Sequence, residues 1–338
     1  MKPRLKGLNH QVMVITGASS GIGRATAKAA AARGARLALA CRNREALDAL
    51  VAELRRSGAD AIAVTTDVGV YDDQAALLAA ALERFGRVDT WVNNAGVSIF
   101  GLLADVPIED QRKLFETNYW GVVYGSLLAA AYLRKSGGAL INLGSEVSDR
   151  AVPLQGAYSA SKHAVKGFTD ALRMELQDAG APVSVTLIKP AAIQTGFVRH
   201  AKNLLDVEPQ LPPPIYAPEV VADAILFAAE HPQRDIYVGG ASKLISAAGA
   251  RMPGLMDRLF GPMLIRQQRT DTPASPRADA LHQAGEDYAE ADPTDRVVLK
   301  HSVYTHLSTR GRGWVLAGAA LALGCALACA ATQVRRAK

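Results

Sequence analysis

Short apolar runs alternate with helical stretches through the first 240 residues. Residues 12–15, Val-Met-Val-Ile, form a run long enough for a buried strand. An alanine-rich helical pattern follows to about Arg33. Residues 36–40, 61–65, 89–92, 139–143, 183–188 and 235–238 repeat the strand signature. Pro107, a residue favoured at helix starts, opens a helical pattern that runs to about Lys135. A further helix is expected over residues 218–230. The alternation predicts an α/β domain.

Composition narrows this picture only modestly. Apolar residues make up 49% of 338, ample for a buried core. The formal net charge of +6 is spread along the chain, which fits a mildly basic surface rather than a nucleic-acid face. The cysteines Cys41, Cys325 and Cys329 form no C-x-x-C pair, so neither a disulfide framework nor a zinc site is expected. No apolar stretch follows the basic residues 1–6, so no signal peptide is expected.

Two local patterns carry chemistry. Gly17, Gly21 and Gly23 lie between the first strand and its helix. Gly17 permits a tight turn, and the other two let backbone approach a pyrophosphate at a helix N-terminus. Tyr158 and Lys162 stand four residues apart, on one helix face. A cation beside a phenol favours the phenolate and lowers a pKa that starts near ~10. Such a tyrosine serves as an acid or base near neutral pH.

Together, the G-x-x-x-G-x-G turn, Tyr158 and Lys162 resemble the short-chain dehydrogenase/reductase family over about residues 10–240. The resemblance implies a Rossmann-type doubly wound parallel sheet of about seven strands, flanked by helices. It implies dinucleotide contacts from Gly17, Ser19, Ser20, Gly21, Ile22 and Gly23. Asp67 and Val68 are expected at the adenine, and Asn94, Ala95 and Gly96 of the Asn-Asn-Ala-Gly run at the adenosine ribose. Pro190, Ile193 and Thr195 are expected at the nicotinamide, with Tyr158 and Lys162 also touching the cofactor. Ala191 departs from the family's usual glycine, and its methyl restricts φ. The implied catalytic set is Asn118, Ser145, Tyr158 and Lys162. Asn118 is expected at a local helix distortion, where its backbone carbonyl holds a water bridging to the lysine. Ser145 precedes Tyr158 by 13 residues, the family's separation.

NAD-binding members commonly carry a carboxylate at the end of the second strand. Here Cys41 and Arg42 hold that place, and Arg24 adds a second cation. A guanidinium pairs with a 2′-phosphate, so the expected cofactor is NADP(H). The resemblance implies carbonyl–alcohol interconversion by hydride transfer, with Tyr158 as proton donor or acceptor and Ser145 bonded to the reacting oxygen. The rival readings are a catalytically idle dinucleotide-binding sensor or scaffold, and a member with epimerase or enoyl/imine reductase chemistry. A homo-oligomer is implied, formed through the helices that start near Pro107 and Gln155.

The rest of the chain bears on substrate and location. Residues 197–216 carry Leu204, Leu205, Val207, Leu211 and Ile215 beside Pro212, Pro213 and Pro214, so a nonpolar substrate is expected. Met252, Leu255, Met256, Leu259, Phe260, Met263 and Leu264 recur at helical spacing, a pattern of core or dimer contact. Residues 266–301 are polar and aperiodic, and read as linker. Residues 314–332 carry no charge, and 19 residues of helix span roughly 28 Å, close to a bilayer core. The expected layout is a catalytic domain over 8–262, a linker over 263–310 and a transmembrane helix over 311–334. That arrangement places the protein at a membrane with its catalytic domain in the cytoplasm.

Overall fold

The computed structural model describes residues 3–240, 243, 246, 249, 251–285, 291 and 296–310. Its centre is a seven-stranded sheet. The strands are β1 (Val12–Thr16), β2 (Arg36–Cys41), β3 (Ala61–Thr65), β4 (Thr90–Asn93), β5 (Gly138–Leu143), β6 (Val183–Pro190) and β7 (Asp235–Val238). Their spatial order is β3-β2-β1-β4-β5-β6-β7, and every pairing is parallel. The order reverses between β1 and β4, which opens a crevice at the carboxyl ends of these strands.

The helices are α1 (Gly21–Ala32), α2 (Arg44–Arg56), α3 (Tyr71–Phe85), α4 (Ile108–Phe115), α5 (Gly121–Ser136), α6 (Gly156–Asp178), α7 (Pro218–Glu230), α8 (Pro253–Gln267) and α9 (Val303–Arg310). Successive strand residues point to opposite faces, and β1 shows the consequence. Met13 and Ile15 pack with Ala27, Leu47 and Ile225 of α1, α2 and α7. Val12 and Val14 pack with Leu77, Leu133 and Leu172 of α3, α5 and α6. Both faces of β1 are covered, so it is apolar along its length rather than alternating.

The helix expected from Pro107 to Lys135 is interrupted. A π-helical turn over Glu116–Trp120 separates α4 from α5 and carries Asn118. Such turns often mark functional sites.

The segment read as a linker folds back onto the domain. Arg269–Pro273 pairs antiparallel with Val207–Pro209. Val298–Leu299 extends a small parallel ladder that also contains Ile215–Tyr216 and Ala192–Ile193. Leu281 is fully buried. Strand pairing and a buried leucine hold the segment, and periodicity carries no trace of either. On α8, Met256 is buried, whereas Leu255, Leu259 and Met263 are exposed on the chain surface. Among the described residues no helix is long and apolar enough to cross a membrane. The stretch 314–332, with Cys325 and Cys329, lies outside the described residues.

Candidate active site

The crevice at the end of β1 is shaped by glycine. Gly17 and Gly21 adopt φ of +63° and +50°, a region open to glycine without strain. A Cβ on Gly23 would lie 2.0 Å from the Gly17 carbonyl oxygen and 2.7 Å from Asn94 Nδ2. Asn94 Nδ2 in turn donates to the carbonyls of Thr16 (2.9 Å) and Gly17 (3.1 Å). Gly17, Ser19, Ser20, Gly21, Ile22, Arg42, Asp67, Val68, Asn94, Ala95, Gly96 and Thr195 line one continuous cleft. Gly23 lies behind it, closing the turn. The first turn of α1 holds no acidic side chain, so its amides face the cleft without a competing carboxylate. A cradle that backbone fills this tightly fits a dinucleotide pyrophosphate.

The two expected cations are both engaged. Arg42 donates to the carbonyls of Ala280 and Leu281, and Asn43 Nδ2 donates to Gly285 at 3.2 Å. Residues 280–285 therefore strap the Arg42 end of the cleft, and Ala280, Ala284 and Gly285 line it. Arg24 bonds Glu53 across α1 and α2 at 2.5 Å. Asp67 Oδ1 accepts from Gly69 N at 2.9 Å, which shapes its own turn.

The cleft continues into a second pocket lined by Ser145, Tyr158, Lys162, Pro190 and Ile193. Ser145 follows β5 and caps the short turn Glu146–Ser148. Its Oγ accepts from Val147 N, and its own N–H donates to Ser148 Oγ. Tyr158 and Lys162 are buried on one face of α6. Lys162 Nζ donates to the Leu143 carbonyl at 2.8 Å and lies 5.7 Å from the Tyr158 ring centroid. Asn118 lines neither pocket. Its amide makes a reciprocal pair with the Val97 backbone, at 2.8 and 2.9 Å, and donates to Ser161 Oγ at 3.1 Å. Ser161 Oγ donates to the Tyr158 carbonyl at 2.7 Å, so Asn118 braces the helix that carries Tyr158.

The electrostatics depart from the sequence expectation. Burial pushes the Tyr158 phenol well above its ordinary value; the Ser145 hydroxyl pulls against this and the Glu146 carboxyl adds to it. Lys162 does not reverse the shift, because burial lowers its own pKa to about 8 and its ammonium is turned to the Leu143 carbonyl. Ala191 carries its methyl without strain, since Leu154 is the one non-glycine residue with positive φ among those described. Of the apolar loop residues expected to face substrate, Leu211 lines the pocket. Leu204 packs against the apolar cluster that includes Tyr158, while Val207 and Ile215 lie in short strands.

Three features lay outside the sequence reading. Glu146 lines the reacting pocket; a carboxylate directly after Ser145 is the signal that could have revealed it. Gln155 and Gln268 meet at the pocket wall, with Gln155 Nε2 donating to Gln268 Oε1 at 2.7 Å. Buried Lys189 bonds Asp149 Oδ2 at 3.1 Å and the Tyr237 hydroxyl at 3.0 Å. Burial raises the Asp149 pKa, but hydrogen bonds from Tyr237 and Lys189 more than offset it. This cluster pins the turn bearing Ser145 and Glu146 to β6 and β7.

Comparisons with known proteins place this geometry. Residues 11–204 match the short chain dehydrogenase family description. An uncharacterized oxidoreductase, YxnA, of Bacillus subtilis is 46% identical over 313 residues, covering 91% of this chain and 88% of the relative. The 11-beta-hydroxysteroid dehydrogenase A of Arachis hypogaea is 31% identical, covering 80% of this chain and 79% of its own. An alcohol dehydrogenase from the archaeon Thermococcus sibiricus, solved in complex with 5-hydroxy-NADP, superposes with a TM-score of 0.59. That match has 28% identity and covers 67% of this chain and 95% of the solved one. With a glycine-built cleft running into the Ser145, Tyr158 and Lys162 pocket, and with relatives that match across most of its length, the chain belongs to the short-chain dehydrogenase/reductase family.

Proposed function

We propose that the protein is an NADP(H)-dependent oxidoreductase that interconverts a carbonyl and an alcohol on a largely nonpolar substrate. The observation that carries this reading is the convergence of Ser145, Tyr158 and Lys162 in a pocket continuous with the glycine-lined cleft. When bound, the nicotinamide supplies or accepts the hydride. The chain's own residues handle the oxygen and its proton. Ser145 Oγ donates a hydrogen bond to the substrate oxygen, which polarises the carbonyl. The raised pKa of Tyr158 keeps its phenol protonated at rest, as a proton donor in reduction requires. As the proton leaves, negative charge gathers on the phenolate, where a cationic Lys162 offsets it. Oxidation runs the same transfer backwards. Asn118 positions Tyr158 through Ser161.

Arg42 supports NADP(H) over NAD(H). Its present acceptors are neutral carbonyls, and a 2′-phosphate offers a charged, bidentate partner that competes with them. The likeness to a protein solved with 5-hydroxy-NADP points the same way. Apolar Val147, Val152, Phe197 and Leu211 in the pocket wall, and the relative named as a hydroxysteroid dehydrogenase, support a bulky nonpolar skeleton. Exposed Trp120, Leu127 and Met174 on the α5 and α6 side support association with a second copy.

The test is an NADPH-oxidation screen over ketones and aldehydes of graded size, with Tyr158→Phe and Arg42→Asp alongside. Tyr158→Phe keeps shape and removes the transferable proton, so kcat falls by orders of magnitude. Arg42→Asp shifts kcat/KM from NADPH toward NADH. Near-normal turnover by Tyr158→Phe, or an NADH preference in the parent protein, would sink the respective assignment.

A further inference from the structure

Several acidic side chains around the cleft are matched to donors, and the one in the reacting pocket is not. Asp149 takes bonds from Tyr237, Lys189 and Ser246. Asp110 meets His282 at 2.8 Å and Lys202 at 2.5 Å. Asp170 meets Arg173 at 2.6 Å and Arg234 at 2.8 Å. Glu146 has no such match among the described residues: burial is the sole influence on its carboxyl, and it raises the pKa to about 7. That carboxyl lines the pocket with Ser145, Tyr158 and Lys162, and lies near enough to Tyr158 and Tyr216 to push both phenols upward. A part-buried carboxyl that lines a pocket and has no donor of its own gains most from a ligand that supplies one.

Its position narrows what that ligand is. Glu146 follows Ser145 directly, so their Cα atoms are about 3.8 Å apart. The Ser145 hydroxyl is the group set to hold the reacting oxygen. Both residues line the same pocket, so substrate atoms close to the reacting carbon lie within reach of the Glu146 carboxyl. We propose that Glu146 recognises a hydrogen-bond donor, a hydroxyl or an ammonium, carried by the substrate beside its reacting carbonyl or carbinol carbon. The favoured substrates are then hydroxy ketones, vicinal diols, amino ketones or amino alcohols on an otherwise nonpolar skeleton. This rests on the oxidoreductase reading above and adds the polar feature that the apolar walls leave out.

A matched series tests it: acetophenone, 2-hydroxyacetophenone and 2-aminoacetophenone, compared by kcat/KM at saturating NADPH. A hydrogen bond to a charged group discriminates roughly tenfold or more, so a donor-bearing ketone should exceed plain acetophenone by that factor. Glu146→Leu should bring the ratio to within about twofold, since an alkyl group accepts nothing. Glu146→Gln, which preserves shape, keeps an acceptor for the hydroxyl and loses the charge that favours the ammonium. The two arms thereby tell a hydroxyl substrate from an amine. A parent ratio near one, or a large ratio that survives in both variants, overturns the proposal while leaving the oxidoreductase reading intact. If the parent protein reduces none of the three, recognition is read from ligand-induced thermal shifts with NADPH present, and the graded screen alone decides the oxidoreductase reading. A larger shift for a donor-bearing ketone that disappears in Glu146→Leu supports recognition; equal shifts overturn it.

Discussion

Replacing Glu146 by glutamine should stabilise the folded protein at neutral pH and do nothing below pH 4.5. The ordinary carboxyl value is 4.5, and burial raises the folded value to about 7. Below 4.5 the side chain is protonated in both folded and unfolded chains and contributes no difference. Between 4.5 and about 7 the unfolded chain gives up the proton while the folded chain keeps it. The unfolded chain then binds fewer protons, so stability falls as pH rises. Each unit corresponds to about 1.36 kcal/mol, which makes the cost about 3 kcal/mol at pH 7. Glutamine does not titrate, so the stability difference between variant and parent should grow across this window and level off above it. Tyr158, Lys162 and Tyr216 are the titratable groups that share this neighbourhood. Lys162, lowered to about 8, changes charge above the window, and the two phenols, both raised, do so higher still. Asp110, Asp149, Asp170 and Glu208 are all lowered, so their stabilisation is lost as pH falls, the opposite sign. They are present in both proteins and cancel in the difference. Urea unfolding of parent and Glu146→Gln at several pH values from 4.5 to 8 reads the curve directly. Parallel curves would show that the Glu146 carboxyl is solvated, and the reasoning about its burial would fall.

Other substitutions probe the supports of the site. Asn118→Ala leaves the buried N–H and C=O of Val97 unpaired, and should cost about 2–3 kcal/mol by denaturant unfolding with a fall in kcat. Asp149→Ala removes the bonded carboxylate from buried Lys189; roughly 3 kcal/mol should be lost, and Lys189→Met in the same background should recover part of it. Gly23→Ala sets a methyl against the Gly17 carbonyl, so NADPH affinity measured by fluorescence titration should drop sharply. Leu281→Ala empties a fully buried position in the strap over the cleft. Faster tryptic cleavage at Arg277 and weaker NADPH binding should follow.

Much of this molecule is written locally. The runs at 12–15, 61–65 and 235–238 became strands within a residue of their expected ends, because the sheet buries the central run on both faces and the two edge runs in part. The helix distortion expected around Asn118 is the π-helical turn over Glu116–Trp120. The contrary case is the segment after Gln267. Its polar composition concealed a strand, a buried leucine and contacts to Arg42, since those depend on partners at positions 207–209 and 42 that no local pattern encodes. The Arg24–Glu53 bond is likewise invisible locally, because Glu53 sits on the next helix.

The sequence by itself determined the strand–helix alternation, the glycine turn and the four-residue spacing that sets Tyr158 and Lys162 on one face. All three follow from repeats of two or 3.6 residues and from the φ freedom of glycine, which act over a few positions. The tertiary structure alone decided the charge state of the pocket. Burial raises Tyr158 and Glu146 and lowers Lys162, and burial is a sum over neighbours drawn from the whole chain. Whether an acid finds a donor is likewise settled by distant residues: Lys189 and Tyr237 reach Asp149, and nothing among the described residues reaches Glu146.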